Sequence, residues 1–514
     1  MSGRTQKGIR NTAYALVVYA VNIVLQFISR KVFIDHLGTE ILGLNTTATS
    51  LLSFLNLAEL GIGTAVMCTL YAPLSKKDTT EVREILAVHG WLYRRVAFAV
   101  IALSAVLMVF FPLIFSKSEL PLWYSFASFS VILFSSLLSY FVNFREVVLS
   151  ADQAEYKIQY SYKLVMLLKI CAQIAAVSLL PHGYIWWLVL EVVFAIAASA
   201  ALNLTIDKSY PFLKELGPCD KELRHRHSDV IIKIKQVFVH KIGAFAVNQS
   251  IPLMVFACVN LTLVTIYGNY MIIVGGLGTV LFSIFNSLGA GVGNLIAEGD
   301  TDHTMAVYRE LFGIRFFFVS FICFVLYYVA GPFVEVWVGP EFIIDNNSLI
   351  LIILIFFLNQ MRTVNDIFLY GYGMFQDVWA PILETAIDIF AGMILGHFFA
   401  LPGILLGVLG GTFLIHFVWK PYFLFSKGFK RGVSIYLRML LKYILVFAVV
   451  SLLSAVVMEF ADIRLDSSWM GVISYIVVLS VSYAVFYLGF LLATDSPIRH
   501  FCKRIVCLGK STTL

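Results

Sequence analysis

The sequence predicts an all-α polytopic membrane protein with about fourteen transmembrane helices. Three observations carry that class. Hydrophobic residues fill 60% of the 514 positions and charged residues 13%, with a mean hydropathy of +0.87. A water-soluble protein of this length needs more polar surface than that. The apolar residues also fall in runs of about 20, the length a helix needs to cross a bilayer. Finally, the basic residues alternate between rich and poor loops, which is how the translocated and retained sides of a membrane protein differ.

In order, the spans fall at roughly 12–34, 41–70, 91–115, 122–148, 161–180, 184–206, 237–259, 263–297, 309–331, 347–371, 377–400, 403–424, 439–460 and 469–493. The first follows the basic lead MSGRTQKGIRN, which has no cleavage site and reads as a cytoplasmic approach to a retained helix. The eighth is too long for one straight helix and is expected to include a loop at its start. Two joints are tight, at His182-Gly183 and at Leu401-Pro402. With the N-terminus inside, 31 of the 37 Lys and Arg fall in inside loops. Arg309, Arg315 and the group from Lys420 to Lys442 are counted among them. Such a skew supports the orientation, an even number of spans and a C-terminus on the same side. The C-terminal SPIRHFCKRIVCLGK reads as a short basic amphipathic helix on the cytoplasmic surface.

The longest inside loop, near 207–236, is rich in Lys, Arg and His and divides the chain near its middle. It sets topology, and its charge also suits anionic lipid heads. The halves echo each other at near-constant spacing. Ala20-Val21-Asn22 recurs as Ala246-Val247-Asn248, Leu60-Gly61-Ile62-Gly63 as Leu288-Gly289-Ala290-Gly291, and Asn45 as Asn269. An even number of spans separates the copies, so they are parallel repeats, which place a substrate cavity between two bundles. The expected organisation is a six-helix bundle at 1–207, a basic linker at 208–236, a second six-helix bundle at 237–425, two added helices at 426–493 and a basic tail at 494–514.

The stretch from Gly43 to Leu70, GLNTTATSLLSFLNLAELGIGTAVMCTL, is nearly all apolar but holds Asn45, Asn56 and Glu59. A carboxylate at this depth costs about 2.5–3.5 kcal/mol unless helices or a wet cavity receive it. The glycines after Glu59 allow close packing or a bend. A polar cavity beside a hinge fits a transporter; a structural pairing of Glu59 with a neighbouring helix is the alternative.

Arg10-Asn11 through Phe33, the Leu37-Gly38 turn, Leu42-Gly43-Leu44-Asn45 and Leu57-Ala58-Glu59-Leu60-Gly61-Ile62-Gly63 together resemble the start of bacterial polysaccharide flippases. These are the Wzx-type O-antigen and capsule transporters of the MOP (MATE-like) superfamily. The resemblance is sharpest over roughly the first 75 residues. It implies two six-helix bundles plus two C-terminal helices, and a cavity lined by cationic residues.

Polar groups within the spans are the candidate functional residues. Asn22, Gln26 and Arg30 form one stripe on the first helix, with Lys31 near its outer end. On the fifth span Tyr162, Lys169 and Gln173 share a face; Lys169 is either a cavity cation or the partner of Glu191 on the sixth. On the tenth, Asn359, Arg362 and Asp366 run down one side, and Arg362 and Asp366 can neutralise each other. On the eleventh, Glu384 and Asp388 lie one turn apart. Two such carboxylates repel and one tends to hold a proton, unless Arg362 pairs with them. Asp366, Glu384 and Asp388 are therefore candidates for ion coupling, and His240, His397 and His416 for proton sites or for tolerated histidines near helix ends. Arg30, Lys31, Lys169 and Arg362 as cations, with Asn22, Gln26, Asn248, Gln249 and Asn359 as amides, suit a diphosphate-linked glycan.

The expected function is a flippase in the bacterial inner membrane, N- and C-termini cytoplasmic. It would move a polyprenyl-diphosphate-linked oligosaccharide to the outer leaflet by alternating access for cell-surface polysaccharide export. Its partners would be that lipid-linked oligosaccharide, membrane lipids and polysaccharide assembly enzymes, and not nucleic acid. No cofactor or metal is expected: seven cysteines show no ligand-like spacing, and there is no GxxxxGK[ST] for direct use of ATP. A MATE-like drug/cation antiporter is the first rival. A membrane glycosyltransferase, polymerase or ligase is the second, disfavoured because the outside carboxylates Asp35, Glu119, Asp345, Asp462 and Asp466 are scattered over short loops.

Overall fold

The computed structural model describes residues 3–59, 62–116, 118–152, 154–214, 216–227, 250–286, 292–293, 295–296, 298–374, 377, 379–460 and 468–494. All regular structure among them is helical. Ten of the described helices are long and apolar enough to cross a bilayer, and one of these, Trp379–Gly428, has 50 residues and folds into two passes. Asn248, Gln249 and His240 lie outside the described residues, as do Ala246-Val247-Asn248, Leu60-Gly61 and the Leu288–Gly291 echo. The chain divides into two compact units, Met1–Thr265 and Ile266–Leu514.

In the first unit, α1 (Gly3–Leu37) stops at Gly38, whose φ of 87° suits glycine. The second predicted span is two helices, α2 (Thr39–Leu55) and α3 (Ile62–Lys76), broken by a 3-10 turn at Asn56–Glu59. The break thus begins at the polar residues Asn56 and Glu59. At the break, Asn56 donates to the hydroxyl of Ser136, on the helix Leu122–Phe141, at 3.0 Å. α4 (Thr79–Val109) starts on Asp78, whose carboxylate accepts from the Thr80 and Glu81 amides. α5 (Leu122–Phe141), α6 (Glu155–Leu179) and α7 (Gly183–Ser209) complete this run. The joint between α6 and α7 is tight because His182 takes a left-handed φ of 56°.

Phe33, Ile41, Tyr184 and Leu188 form a buried cluster, with Trp187 edge-on to Phe33 at 5.8 Å. Buried Asn45 accepts from the hydroxyls of Ser128 and Tyr184, tying α2 to α5 and α7. Gly43 faces the Leu261 carbonyl so closely that a Cβ would collide with it.

α8 (Leu261–Asn286) crosses from the first unit into the second. Its first turn is capped by Asn260, which accepts from the Leu263 amide at 2.8 Å, so the expected loop at the start of this span is helix instead. α9 (Thr301–Val338) runs 38 residues from an Asp300 cap and α10 (Asn346–Gly371) from an Asp345 cap. α11 (Trp379–Gly428) turns back on itself at Ala400, where φ is 51° and ψ is −133°, with Pro402 barring a straight continuation. α12 (Ser434–Phe460) and α13 (Trp469–Thr494) follow. The Tyr483 hydroxyl donates to Ser320 at 3.0 Å and its ring stacks on Phe324, fastening α13 to α9. The opposite side of α12 exposes Leu441, Leu445, Val449 and Leu452, an outward apolar face that suits lipid.

The two passes of α11 pack through glycine. A Cβ on Gly403 would strike the Leu395 carbonyl, one on Gly407 the Gly392 backbone, and one on Gly411 the Asp388 carboxylate. Gly403, Gly407 and Gly411 are spaced four apart, as are Gly392 and Gly396, the small-residue pattern that lets membrane helices approach closely. This ladder fixes the antiparallel register and carries Glu384 up to the level of His416.

Candidate functional site

Within the first unit the predicted residues fall into separate polar settings. Asn22 is half-buried, and among the described residues its side-chain oxygen has no hydrogen-bond partner. Gln26 is exposed. Arg30 donates to the Thr265 carbonyl at 2.8 Å. Lys31 lies 3.6 Å from Asp35, with both side chains nearly half exposed, so the pair adds little to stability. Glu59 ends the 3-10 turn and accepts from the Tyr93 hydroxyl at 3.0 Å. Tyr93 also sits against the buried His89 ring, 4.2 Å between centroids.

Lys169 is held in the alternative the sequence offered. Its ammonium lies 2.7 Å from Glu191, and the buried Gln173 donates to the other oxygen of Glu191 at 3.0 Å and to the Trp187 carbonyl at 3.2 Å. This arrangement satisfies both charges in a setting where an isolated one would be costly.

In the second unit five charged or titratable side chains form one continuous network. His416 Nε2 lies 2.9 Å from a Glu384 oxygen and 2.8 Å from Arg362 Nη1. Arg362 Nε lies 3.8 Å from Asp366, whose other oxygen receives the Lys420 ammonium at 2.6 Å. Arg362 therefore reaches the acidic pair of the eleventh span through His416. Asp388 is fully buried one turn from Glu384, and among the described residues neither of its oxygens has a hydrogen-bond partner. His416 belongs to a π-helical segment, Leu414–Trp419, followed after one α-turn by a second, Leu424–Gly428. Such segments are common at functional positions because the extra residue re-aims the side chains around it. Asn359 turns to its own helix, donating to the Ile355 carbonyl at 3.1 Å.

Several residues of these networks escaped the sequence reading. Lys420 counted as a loop charge, and it pairs with Asp366 instead. Arg315 was counted the same way, but it is fully buried in α9. Its guanidinium donates to the carbonyls of Leu281 and Gln360, to Gln360 Oε1 and to the Thr363 hydroxyl, and lies 4.4 Å from the Phe285 ring centroid. The glycine spacing of α11 was the available signal for the His416–Glu384 contact.

No protein-family model matches the chain. No curated protein matches it either. Among solved structures it is similar to an inward-facing multidrug resistance MATE family transporter of the MOP superfamily, with a TM-score of 0.59 and 12% identity over 77% of this chain and 92% of that one. A Vibrio cholerae MATE transporter aligns with a TM-score of 0.54 and 12% identity over 84% and 99%. The class is thereby defined: a multi-pass membrane protein with the fold of MOP-superfamily transporters. Within that class, the chain is similar to the lipid II flippase MurJ in its inward closed conformation, with a TM-score of 0.66 and 13% identity over 94% of this chain and 99% of that one.

Proposed function

We propose that this protein is an inner-membrane flippase that moves a polyprenyl-diphosphate-linked oligosaccharide from the cytoplasmic to the outer leaflet for cell-surface polysaccharide export. The observation that carries it is the extent of the likeness to a lipid II flippase, which takes in 94% of this chain, against 77% and 84% for the two MATE transporters. Support also comes from the residues at the start of the chain that resemble polysaccharide flippases, and from intramembrane cations and amides chemically suited to a diphosphate and a glycan. The termini would be cytoplasmic, as the basic residues suggest. The head group would pass through the protein's polar interior while the lipid tail stays in the bilayer, the protein alternating between inward- and outward-open states. Catalysis has no part in this function.

The test uses cells that lack this protein and keep the glycan assembly enzymes. Lipid-linked oligosaccharide is labelled with a probe that cannot cross the membrane. Its accumulation in the inner leaflet, relieved by the wild-type chain, is the expected result. Normal glycan outside, together with altered resistance to cationic dyes, overturns the flippase in favour of the antiporter.

A further inference from the structure

The second unit contains a hydrogen-bonding conflict. A ring nitrogen offers one position: a proton to donate or a lone pair to accept. His416 Nε2 faces a carboxylate of Glu384 at 2.9 Å and the Arg362 guanidinium, a permanent donor, at 2.8 Å. With Nε2 protonated, the imidazole donates to Glu384 and presents a proton to a donor. With Nε2 bare, it accepts from Arg362 and Glu384 loses its donor. Nothing pins the tautomer from the other side, because among the described residues Nδ1 has no partner.

Asp388 supplies the second half of the device. It is fully buried one turn from Glu384, against Gly411, with neither oxygen hydrogen-bonded among the described residues. In the network that begins at Glu384, the charges of Arg362 and Lys420 balance those of Asp366 and Glu384. Tyr370 and Asp377 stand at the Asp366–Lys420 end. What remains is Asp388 and His416. The five-residue network together with Asp388, and without Asp377 beyond Tyr370, is electrically neutral when these two hold one titratable proton between them, either on the carboxyl or on the imidazole. A buried cluster favours that neutral count.

We propose that Asp388, Glu384 and His416 form a proton-carrying site in which a single proton is exchanged between the Asp388 carboxyl and the His416 ring. The exchange selects the partner of Nε2. A cationic ring holds Glu384 and so keeps the two passes of α11 together; a neutral ring holds Arg362 and so ties the second pass to α10. The π-helical segment bearing His416 gives the ring a backbone whose hydrogen bonds can be re-registered without unfolding. The site stands on this geometry whatever the protein transports.

Infrared difference spectroscopy of the full-length protein in lipid nanodiscs, stepped between about pH 5 and pH 8, tests it without a substrate. The wild type is expected to show a protonated-carboxyl band that titrates in this window and that D388N removes. In H416Q, which keeps an amide near Glu384 but holds no proton, the band is expected to persist to a pH higher by about one unit. A spectrum unchanged by D388N, or an unchanged midpoint in H416Q, overturns the proposal. Should H416Q fail to fold, the ring-nitrogen resonances of His416 in the wild type decide: a transition from cationic to neutral within the window supports the site, and a ring neutral throughout overturns it.

Discussion

The Asp388 carboxylate lies against Gly411, where a single added methyl would occupy the place of its oxygen. The closeness of these two residues shows how the second unit makes room for a buried carboxyl: the space comes from a missing side chain on the facing pass. Gly411→Ala is expected to destabilise the protein by about 1–3 kcal/mol, the usual penalty for overpacking. Thermal unfolding in detergent checks this. A Gly410→Ala control, where a Cβ meets nothing within 4 Å, should leave the midpoint in place.

Lys169 and Glu191 are a largely buried pair within the membrane-spanning helices, each side chain about 15% exposed. Lys169→Met strands the carboxylate and is expected to cost about 3–5 kcal/mol, while adding Glu191→Gln recovers most of the loss. The unfolding midpoints of the single and double variants measure both. Glycan export by the double variant then separates roles: restored stability with restored export marks the pair as structural, and restored stability without export marks Lys169 as a contact of the transported head group.

Arg315 reaches four acceptors on α8 and α10 from one planar group. Lysine offers three protons from a single point and cannot span them. Each charge-assisted bond lost costs about 1.5–3 kcal/mol. Arg315→Lys is therefore expected to lower the folded yield sharply, seen as loss of the monodisperse peak of a fluorescent fusion in size-exclusion chromatography.

Tyr483→Phe removes only the hydroxyl contact to Ser320. Hydrogen bonds between membrane helices average about 0.6 kcal/mol, so the midpoint should barely move. Tyr483→Ala also removes the ring from Phe324, Phe321 and Tyr487 and should be far more damaging. Equal effects in the two variants would mean that the hydroxyl, not the ring, fastens α13 to α9.

Much of the fold was legible because hydropathy and tight joints are local signals. The spans at 184–206, 347–371, 439–460 and 469–493 match described helices closely, while those at 91–115 and 309–331 begin late. Most of the one at 237–259 lies outside the described residues, and both tight joints fall where His182 and Ala400 take left-handed backbone. The break in the second span was legible in part, since Asn56 and Glu59 stood out in an apolar run. The charged networks were harder. Lys169 with Glu191 was visible because neighbouring antiparallel spans bring equal depths together. Lys420 and Arg315 were misplaced because a hydropathy window ends where charge begins, whereas α9 starts at Thr301, fourteen residues before Arg315. His416 on its own gave no sign of its partner; the signal lay in the glycines spaced four apart on the two passes, whose register brings it to Glu384.

The fold-back at Ala400 acts as a ruler. From it, Gly403 faces Leu395, Gly407 faces Gly392 and Gly411 faces Asp388, and the same progression brings His416 to Glu384. Each residue added to or removed from the corner at Leu401-Pro402 would rotate the second pass by about 100° and slide it by about 1.5 Å. Methyl groups would then meet backbone, and imidazole would no longer meet carboxylate. Loop corners generally tolerate insertion; this one has a length that the chemistry further along the helix requires.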